Sequence, residues 1–318
     1  MDYDLFNGDA DGICSLIQLR LAEPRDSVLV TGIKRDIKLL SQITPKAGDR
    51  VTVLDVSMEK NKVGLAHALE EGASVFYADH HRSGDIPEHP ALSTHINTAA
   101  TTCTALIVNQ LLGGKYQDWA IVAAYGDNIT QVADTLADRA GYSSEQRLEL
   151  HKLGVAMNYN GYGASVEDLF YHPAELYRLA ATYQNPFDFI AERIDVYETL
   201  TAGYRADLDK GLGVAPILVS EKAAMIVLPD KKWARRISGV LGNELANQHP
   251  DRACAILTPI INSQEEFMVS IRAPQNQPCR ADEVAIKYGG GGRKKAAGIN
   301  SLNSVYFTEL YDTLLTTW

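Results

Sequence analysis

The chain has 318 residues, 46% of them hydrophobic, which suits two globular domains with buried cores. A net charge of −10 argues against a protein that coats long nucleic acid non-specifically, because phosphate binding needs local positive charge. Cys14, Cys103, Cys254 and Cys279 form no C-x-x-C pair, which argues against a zinc knuckle or disulfide framework. With no basic leader and no apolar run of membrane-spanning length, the expected location is cytoplasmic, away from membranes.

Charge is uneven along the chain. Residues 222–318 hold 12 Lys and Arg against 9 Asp and Glu, whereas the first 221 hold 18 against 31. A metal-collecting front half followed by an anion-collecting back half would give this split, and so would ordinary surface variation.

In chain order, "YDLF", "SVLVTG", "RVTVLDV" and "ASVFYAD" read as strands, being short, rich in β-branched and aromatic residues and ended by Gly or Asp. Between them "GICSLIQLRLA", "DIKLLSQI" and "NKVGLAHALEEG" space apolar residues by three and four, as helices do. This alternation predicts βαβ units, a parallel sheet and helices on both faces. "TTCTALIVNQLL" and "DWAIVAAYG" read as buried helices, and residues 143–205 as an aromatic-rich helical connector broken by Pro, Gly and Asn.

A second alternation starts near Gly211. "APILVS", "AAMIVL", "ACAILTPII" and "EEFMVSIRA" read as strands and "RRISGVLGNELANQ" as a helix, before the glycine-rich "YGGGGRKKAAG". The expected fold class is α/β: a parallel-sheet domain with helical connector over 1–205 and a smaller α/β domain over 211–318.

The polar residues that matter fall at strand ends. Asp9 and Asp11 follow "YDLF", Asp55 follows "VTVL", and Asp79, His80 and His81 follow "SVFYA". In an open parallel sheet these C-terminal ends share one edge, where ligands bind. Residues two apart in extended chain point the same way, so Asp9 and Asp11 can reach one site. Such a carboxylate cluster repels itself unless cations neutralise it. Oxygen and imidazole without thiolate favour Mn2+ or Mg2+ over structural zinc.

"NGDADG" also has the spacing of the first half of an EF-hand loop. That reading requires a preceding helix and a bidentate Glu at position twelve, where this chain has a strand pattern and Gln18. A plain helix N-cap explains Asp9 and Asp11 taken alone. Three convergent strand ends favour a metal site.

Taken together, "DADG", the aspartate of "VLDVS", "ADHHRSG" and the aspartate of "AYGDN" resemble the four motifs of the DHH phosphoesterases, of RecJ-like and nanoRNase-like kind. "GGGGRKKAAG", preceded by "VSIRAPQ", resembles the glycine-rich motif of the associated DHHA1 domain. The resemblance implies two Mn2+ ions per site, with Mg2+ as the alternative metal. It implies that Asp9 holds one ion and Asp11 the other, that Asp55 bridges them, and that His80 and Asp127 complete the coordination of the second ion. Asp79 would orient or deprotonate the nucleophilic water, and His81 would contact phosphate. The histidines such enzymes place four or two residues before the first aspartate are Leu5 and Asn7 here, so Asn7 is the remaining, weaker candidate ligand.

Gly290, Gly291 and Gly292, with Arg293, Lys294 and Arg272, are the expected substrate-binding set: glycine backbone lets N–H groups approach an anion, and Arg293 replaces the usual histidine with a phosphate clamp. A solvated surface turn is the alternative reading. The segment is neither a P-loop nor a dinucleotide fingerprint.

The expected activity is Mn2+-dependent phosphoester hydrolysis on a small nucleotide or short single-stranded nucleic acid. Short oligoribonucleotides, linear or cyclic dinucleotides and phosphoadenosine phosphate are the substrates the resemblance suggests, with a homodimer left open. Polyphosphate or pyrophosphate hydrolysis is one rival, and a nucleotide- or DNA-binding protein with a degenerate site is the other.

Overall fold

β1 (Asp2–Phe6) is an interior strand of the first sheet and shows how its two faces are covered. Leu5 points to one side, into a core built with Val51, Val53, Val75 and Tyr77 and with Leu65 and Leu69 of α2 (Met58–Glu70). Phe6 points to the other, into a larger core with Ile13 and Ile17 of α1 (Ala10–Ala22). Alternation at period two thus gives each face its own hydrophobic layer. The computed structural model describes every residue except Gln264, and the chain divides into two compact units, Met1–Gly203 and Tyr204–Trp318.

In the first unit, β2 (Val28–Val30), β1, β3 (Arg50–Leu54), β4 (Ser74–Asp79) and β5 (Leu92–Ile96) lie in the order β2-β1-β3-β4-β5. All four pairings are parallel. From β1 the chain passes outward to β2 and then returns to β3 on the other side, so β1 and β3 flank a topological switch point. The crevice at the carboxyl ends there is where open α/β sheets take ligands.

The α1 face is covered by α3 (Thr104–Leu111), α4 (Gln117–Gly126), α5 (Thr130–Arg139), α6 (Ser144–Asn160) and α7 (Pro173–Ala180). α8 (Pro186–Glu192) follows. α4 is buried from Trp119 to Gly126, as expected of a helix apolar all round. At its end a Cβ on Gly126 would strike Ala10 and the Gly154 carbonyl, and one on Gly154 would strike the Val122 carbonyl. This close approach of α4 to α1 and α6 needs glycine at both places. α9 (Ile194–Leu212) contains the boundary between the units.

The second unit carries β6 (Leu218–Val219), β7 (Ala223–Val227), α10 (Lys232–Gln248), β8 (Ala253–Pro259), β9 (Glu266–Arg272) and α11 (Ala281–Lys287). It ends with β10 (Gly291–Arg293), β11 (Ala296–Asn303) and α12 (Phe307–Thr317). Its sheet order is β10-β11-β9-β8-β7-β6, and among the described residues only β7 and β8 pair in parallel.

The α/β class and the parallel first sheet are as expected. Three local expectations fail. "DIKLLSQI" is no α-helix: only Leu40–Gln42 makes a 3-10 turn, and buried Leu39 and Leu40 fill the α2 core without one. The "APILVS" strand shrinks to Leu218–Val219. The glycine-rich segment is mostly a β-hairpin rather than a loop, with Gly291 opposite Gly298 and Arg293 opposite Ala296.

Candidate active site

Asp9 is the N-cap of α1. Its Oδ1 accepts from the backbone N–H groups of Asp11 and Gly12, both at 3.1 Å. Gly12 cannot carry a Cβ, because it would collide with the Asn7 carbonyl. Asp9 is thus an N-cap, as a plain reading of the sequence allows, and the cap fixes the direction of its carboxylate. Asp11, in the first turn, sends its carboxylate across to a second helix start, with Oδ2 accepting from Thr104 N–H and Oδ1 from Ala105 N–H at 2.7 Å each. Asp11 thus pairs two N–H groups that the first turn of α3 leaves without an intrahelical partner.

Asp55 follows β3 with φ +59, a left-handed backbone that costs a non-glycine residue roughly 1 kcal/mol. Its Oδ1 accepts from the Thr104 hydroxyl at 3.2 Å. Asp79 ends β4, and its Oδ1 lies 2.8 Å from His81 Nδ1, while its buried Oδ2 has no hydrogen-bond partner. Asp127 caps the C-terminus of α4. Asn128, at φ +60, and Ile129 donate backward to the Tyr125 and Ala124 carbonyls, completing a Schellman motif that fixes the acid just beyond the helix.

Asp11, Asp55 and Asp127 converge on His80. Its Nδ1 lies 3.1 Å from the Thr102 carbonyl, which can only accept, so Nδ1 carries a proton and Nε2 is the free nitrogen. Nε2 faces Asp55 Oδ1 at 3.4 Å, Asp11 Oδ2 at 3.8 Å and Asp127 Oδ2 at 3.8 Å. Asp55, His80 and His81 also offer ligand atoms that all lie within 4.8 Å of one another.

Burial, and then the negative charges of Asp11, Asp9 and Asp79, push the Asp55 carboxyl well above the usual range. Burial followed by Asp11 and Asp9 pushes Asp127 up to about 6, with Lys34 and His80 partly offsetting them. The hydrogen bond to Asp79, opposed by burial, raises the His81 imidazole above its ordinary value. One imidazole nitrogen facing three carboxylate oxygens fits a hard or borderline divalent cation such as Mn2+ or Mg2+.

Sequence reading missed Lys34. It follows β2, whose end lies beside that of β1 on the same edge, and its Nζ sits 2.6 Å from Asp9 Oδ2 and 4.0 Å from Asp127 Oδ1. The ammonium also donates to Asn158 Oδ1 at 2.9 Å and lies 5.8 Å from the Tyr162 ring centroid. Burial would raise the Asp9 carboxyl, but Lys34 and the Gly12 N–H outweigh it and hold it below the usual range. Asn7 Nδ2 donates to the Lys34 carbonyl at 3.4 Å, while its buried Oδ1 has no hydrogen-bond partner. Leu5, the other vacated histidine position, lies wholly in the α2-side core.

The expected substrate residues belong to the second unit. Arg272 is engaged there, donating to Asn243 Oδ1, Ser270 Oγ and the Ile271 and Gly239 carbonyls, which ties β9 to α10. Gly289 and Gly290 end α11, their N–H groups returning to the Ile286 and Ala285 carbonyls. A Cβ on Gly290 or Gly292 would strike β11 backbone, so tight sheet packing accounts for both. Gly291 faces open space, and Gly291, Gly292, Arg293 and Lys294 are exposed.

Residues 4–137 match the profile of the DHH family, N-terminal domain. This match lies within the first unit. No curated protein matches the chain. Among solved structures, one of RecJ exonuclease bound to manganese superposes with TM-score 0.63 at 17% identity, over 99% of this chain and 89% of that one. RecJ in complex with Mn2+ from Thermus thermophilus gives 0.61 at 17% identity, over 99% of this chain and 51% of that one. A pGpG-specific phosphodiesterase, PggH from Vibrio cholerae, gives 0.58 at 15% identity, over 99% and 98%. These likenesses establish a shared fold. Among the described residues, no helix is long and apolar enough to cross a membrane.

Proposed function

We propose that the chain is a metal-dependent phosphoesterase acting on small nucleotides, with linear dinucleotides and short oligoribonucleotides as the substrate class. The observation that carries this reading is the convergence of Asp11, Asp55 and Asp127 oxygens on His80 Nε2, with His80 Nδ1 held by Thr102. A divalent cation held there would supply Lewis acidity to a hydrolytic water and to phosphate oxygens.

The chain's own groups do the rest. Asp79 fixes the His81 ring through Nδ1, leaving Nε2 of a half-exposed imidazole to meet a phosphate oxygen. The raised His81 pKa favours the protonated form, which balances charge on the phosphate or returns a proton to the leaving oxygen. We assign Asp79 the role of positioning His81. Fold likeness to a pGpG-specific phosphodiesterase supports the short substrate class.

The test is a hydrolysis panel with EDTA-stripped protein, with and without Mn2+. It covers linear and cyclic dinucleotides, phosphoadenosine phosphate, short RNA and polyphosphate. Mn2+-dependent cleavage of dinucleotides or short RNA is expected. Preferred turnover of polyphosphate would move the assignment to that rival. No hydrolysis with retained nucleotide binding would make the chain a binding protein, the reading that the Lys34–Asp9 ion pair inside the acid cluster favours.

A further inference from the structure

Two divalent ions were the expectation, and the donor set does not fit both. The second position would draw on Asp9 and Asp127, and a lysine ammonium already lies against the first and faces the other. We propose that Lys34 serves as a built-in cation in place of one metal, so that the site takes a single divalent ion through Asp11, Asp55, His80 and Asp127.

Four observations on this chain agree. Nζ contacts Asp9 Oδ2 at 2.6 Å, a charge-assisted distance, and also donates to Asn158 Oδ1. The backbone on either side is clamped, since Lys34 N–H donates to the Gly161 carbonyl at 2.8 Å and its own carbonyl accepts from Asn7. The lysine is thus delivered to the acids rather than wandering among them. Both positions that would offer imidazole to an ion beside Asp9 lack it: Leu5 is buried in the core behind the sheet, and Asn7 offers only an amide oxygen. Finally, Asp127 separates two environments, with Oδ2 toward His80 and Oδ1 toward Lys34. One acid therefore bridges the metal position and the ammonium.

A fixed +1 charge beside Asp9 repels any ion that tries to share that acid, and it neutralises the acid without depending on metal supply. The expected behaviour is saturation by one equivalent of metal and simple hyperbolic activation, where a dinuclear centre would give two binding events.

This inference rests on the metal-dependent reading above, and metal stoichiometry tests it apart from activity. Full-length protein stripped with EDTA is titrated with Mn2+ by calorimetry and followed by electron paramagnetic resonance. One equivalent with the six-line spectrum of isolated Mn2+ is expected. Two equivalents with an exchange-coupled spectrum would overturn the role of Lys34, even if phosphoester hydrolysis were observed. No Mn2+ binding would overturn the proposed function and this inference together.

A second arm uses Asn7→His combined with Lys34→Gln, with its fold checked by circular dichroism. This protein should gain a second equivalent and a coupled spectrum, and a folded double variant still limited to one would count against the lysine as the blocking group. Should the variant not fold, the wild-type stoichiometry decides alone.

Discussion

His80 Nδ1 and the Thr102 carbonyl are 3.1 Å apart, and this one hydrogen bond decides which ring nitrogen faces the acids. Because the anchor is backbone, no side-chain replacement at Thr102 removes it, and the test must fall on His80 itself. His80→Ala should weaken Mn2+ binding by at least about 10–100-fold, the cost of losing merely a partner that orients such a ligand. Calorimetric affinity within twofold of wild type would show that the imidazole does not bind the metal.

Asp79 and His81 should act as one unit. Asp79→Asn removes the negative partner that keeps the His81 pKa high, so the alkaline limb of the activity profile should move to lower pH. Turnover should fall by about 10²–10⁴, the usual contribution of an aligned acid–base group. His81→Ala and the double variant should cost about the same as each other, because a unit fails once. Additive losses would separate the two residues.

Metal-free protein should lose stability as pH rises. Asp127, pushed up to about 6, and Asp55, also raised, keep protons in the folded state that the unfolded chain releases near about 4. The folded state binds more protons in that window, so stability falls from about pH 4 through about pH 6 and above. Asp9, held low, works the other way, adding stability that disappears only below about pH 4. Melting temperatures in EDTA should follow this trend, Asp127→Asn should flatten it, and Mn2+ should reverse it by competing with the protons. A flat EDTA profile in the wild-type protein would refute the raised carboxyls.

Beneath the site, Arg20 of α1 and Asp4 of β1 form a buried ion pair, extended by Thr52 Oγ1 and Ser27 Oγ. Asp4→Ala should destabilise the first unit by about 3–5 kcal/mol, since it leaves a buried guanidinium uncompensated. Replacing both partners with leucine and methionine should cost much less. Urea unfolding of the full chain measures both, and a single-variant loss below about 1 kcal/mol would mean that water reaches Arg20.

Much of this could be read in the chain because local rules and the fold agree. β1, β3 and β4 show strand patterns that end in acids, and a parallel sheet gathers those ends. β5 went unread because "LSTHI" is half-buried and only weakly apolar. Leu39 and Leu40 imitated helical spacing but only fill a core gap. The partners of Asp11 are N–H groups of Thr104 and Ala105, which every residue type except proline possesses, so no letter marks them. Lys34 carries a charge that looks like ordinary surface until β2 is placed next to β1. The glycines at 289–292 suggested an anion cradle, whereas a helix stop and strand contact take up most of their freedom.

The way Asp11 is satisfied has a consequence for how the protein comes into being. A calcium loop gathers its ligands from a dozen consecutive residues and can grip its ion as a short peptide. Here "FNGDADGICS" cannot. Asp9 pairs with Lys34, Asp11 with the start of α3, and Asp127 waits at the end of α4, so the acids come together only once the parallel sheet and its helical layer have closed. On the proposed reading, metal capture would follow the closing of the sheet against α3 and α4, and a bound ion would report that this part of the first unit is folded.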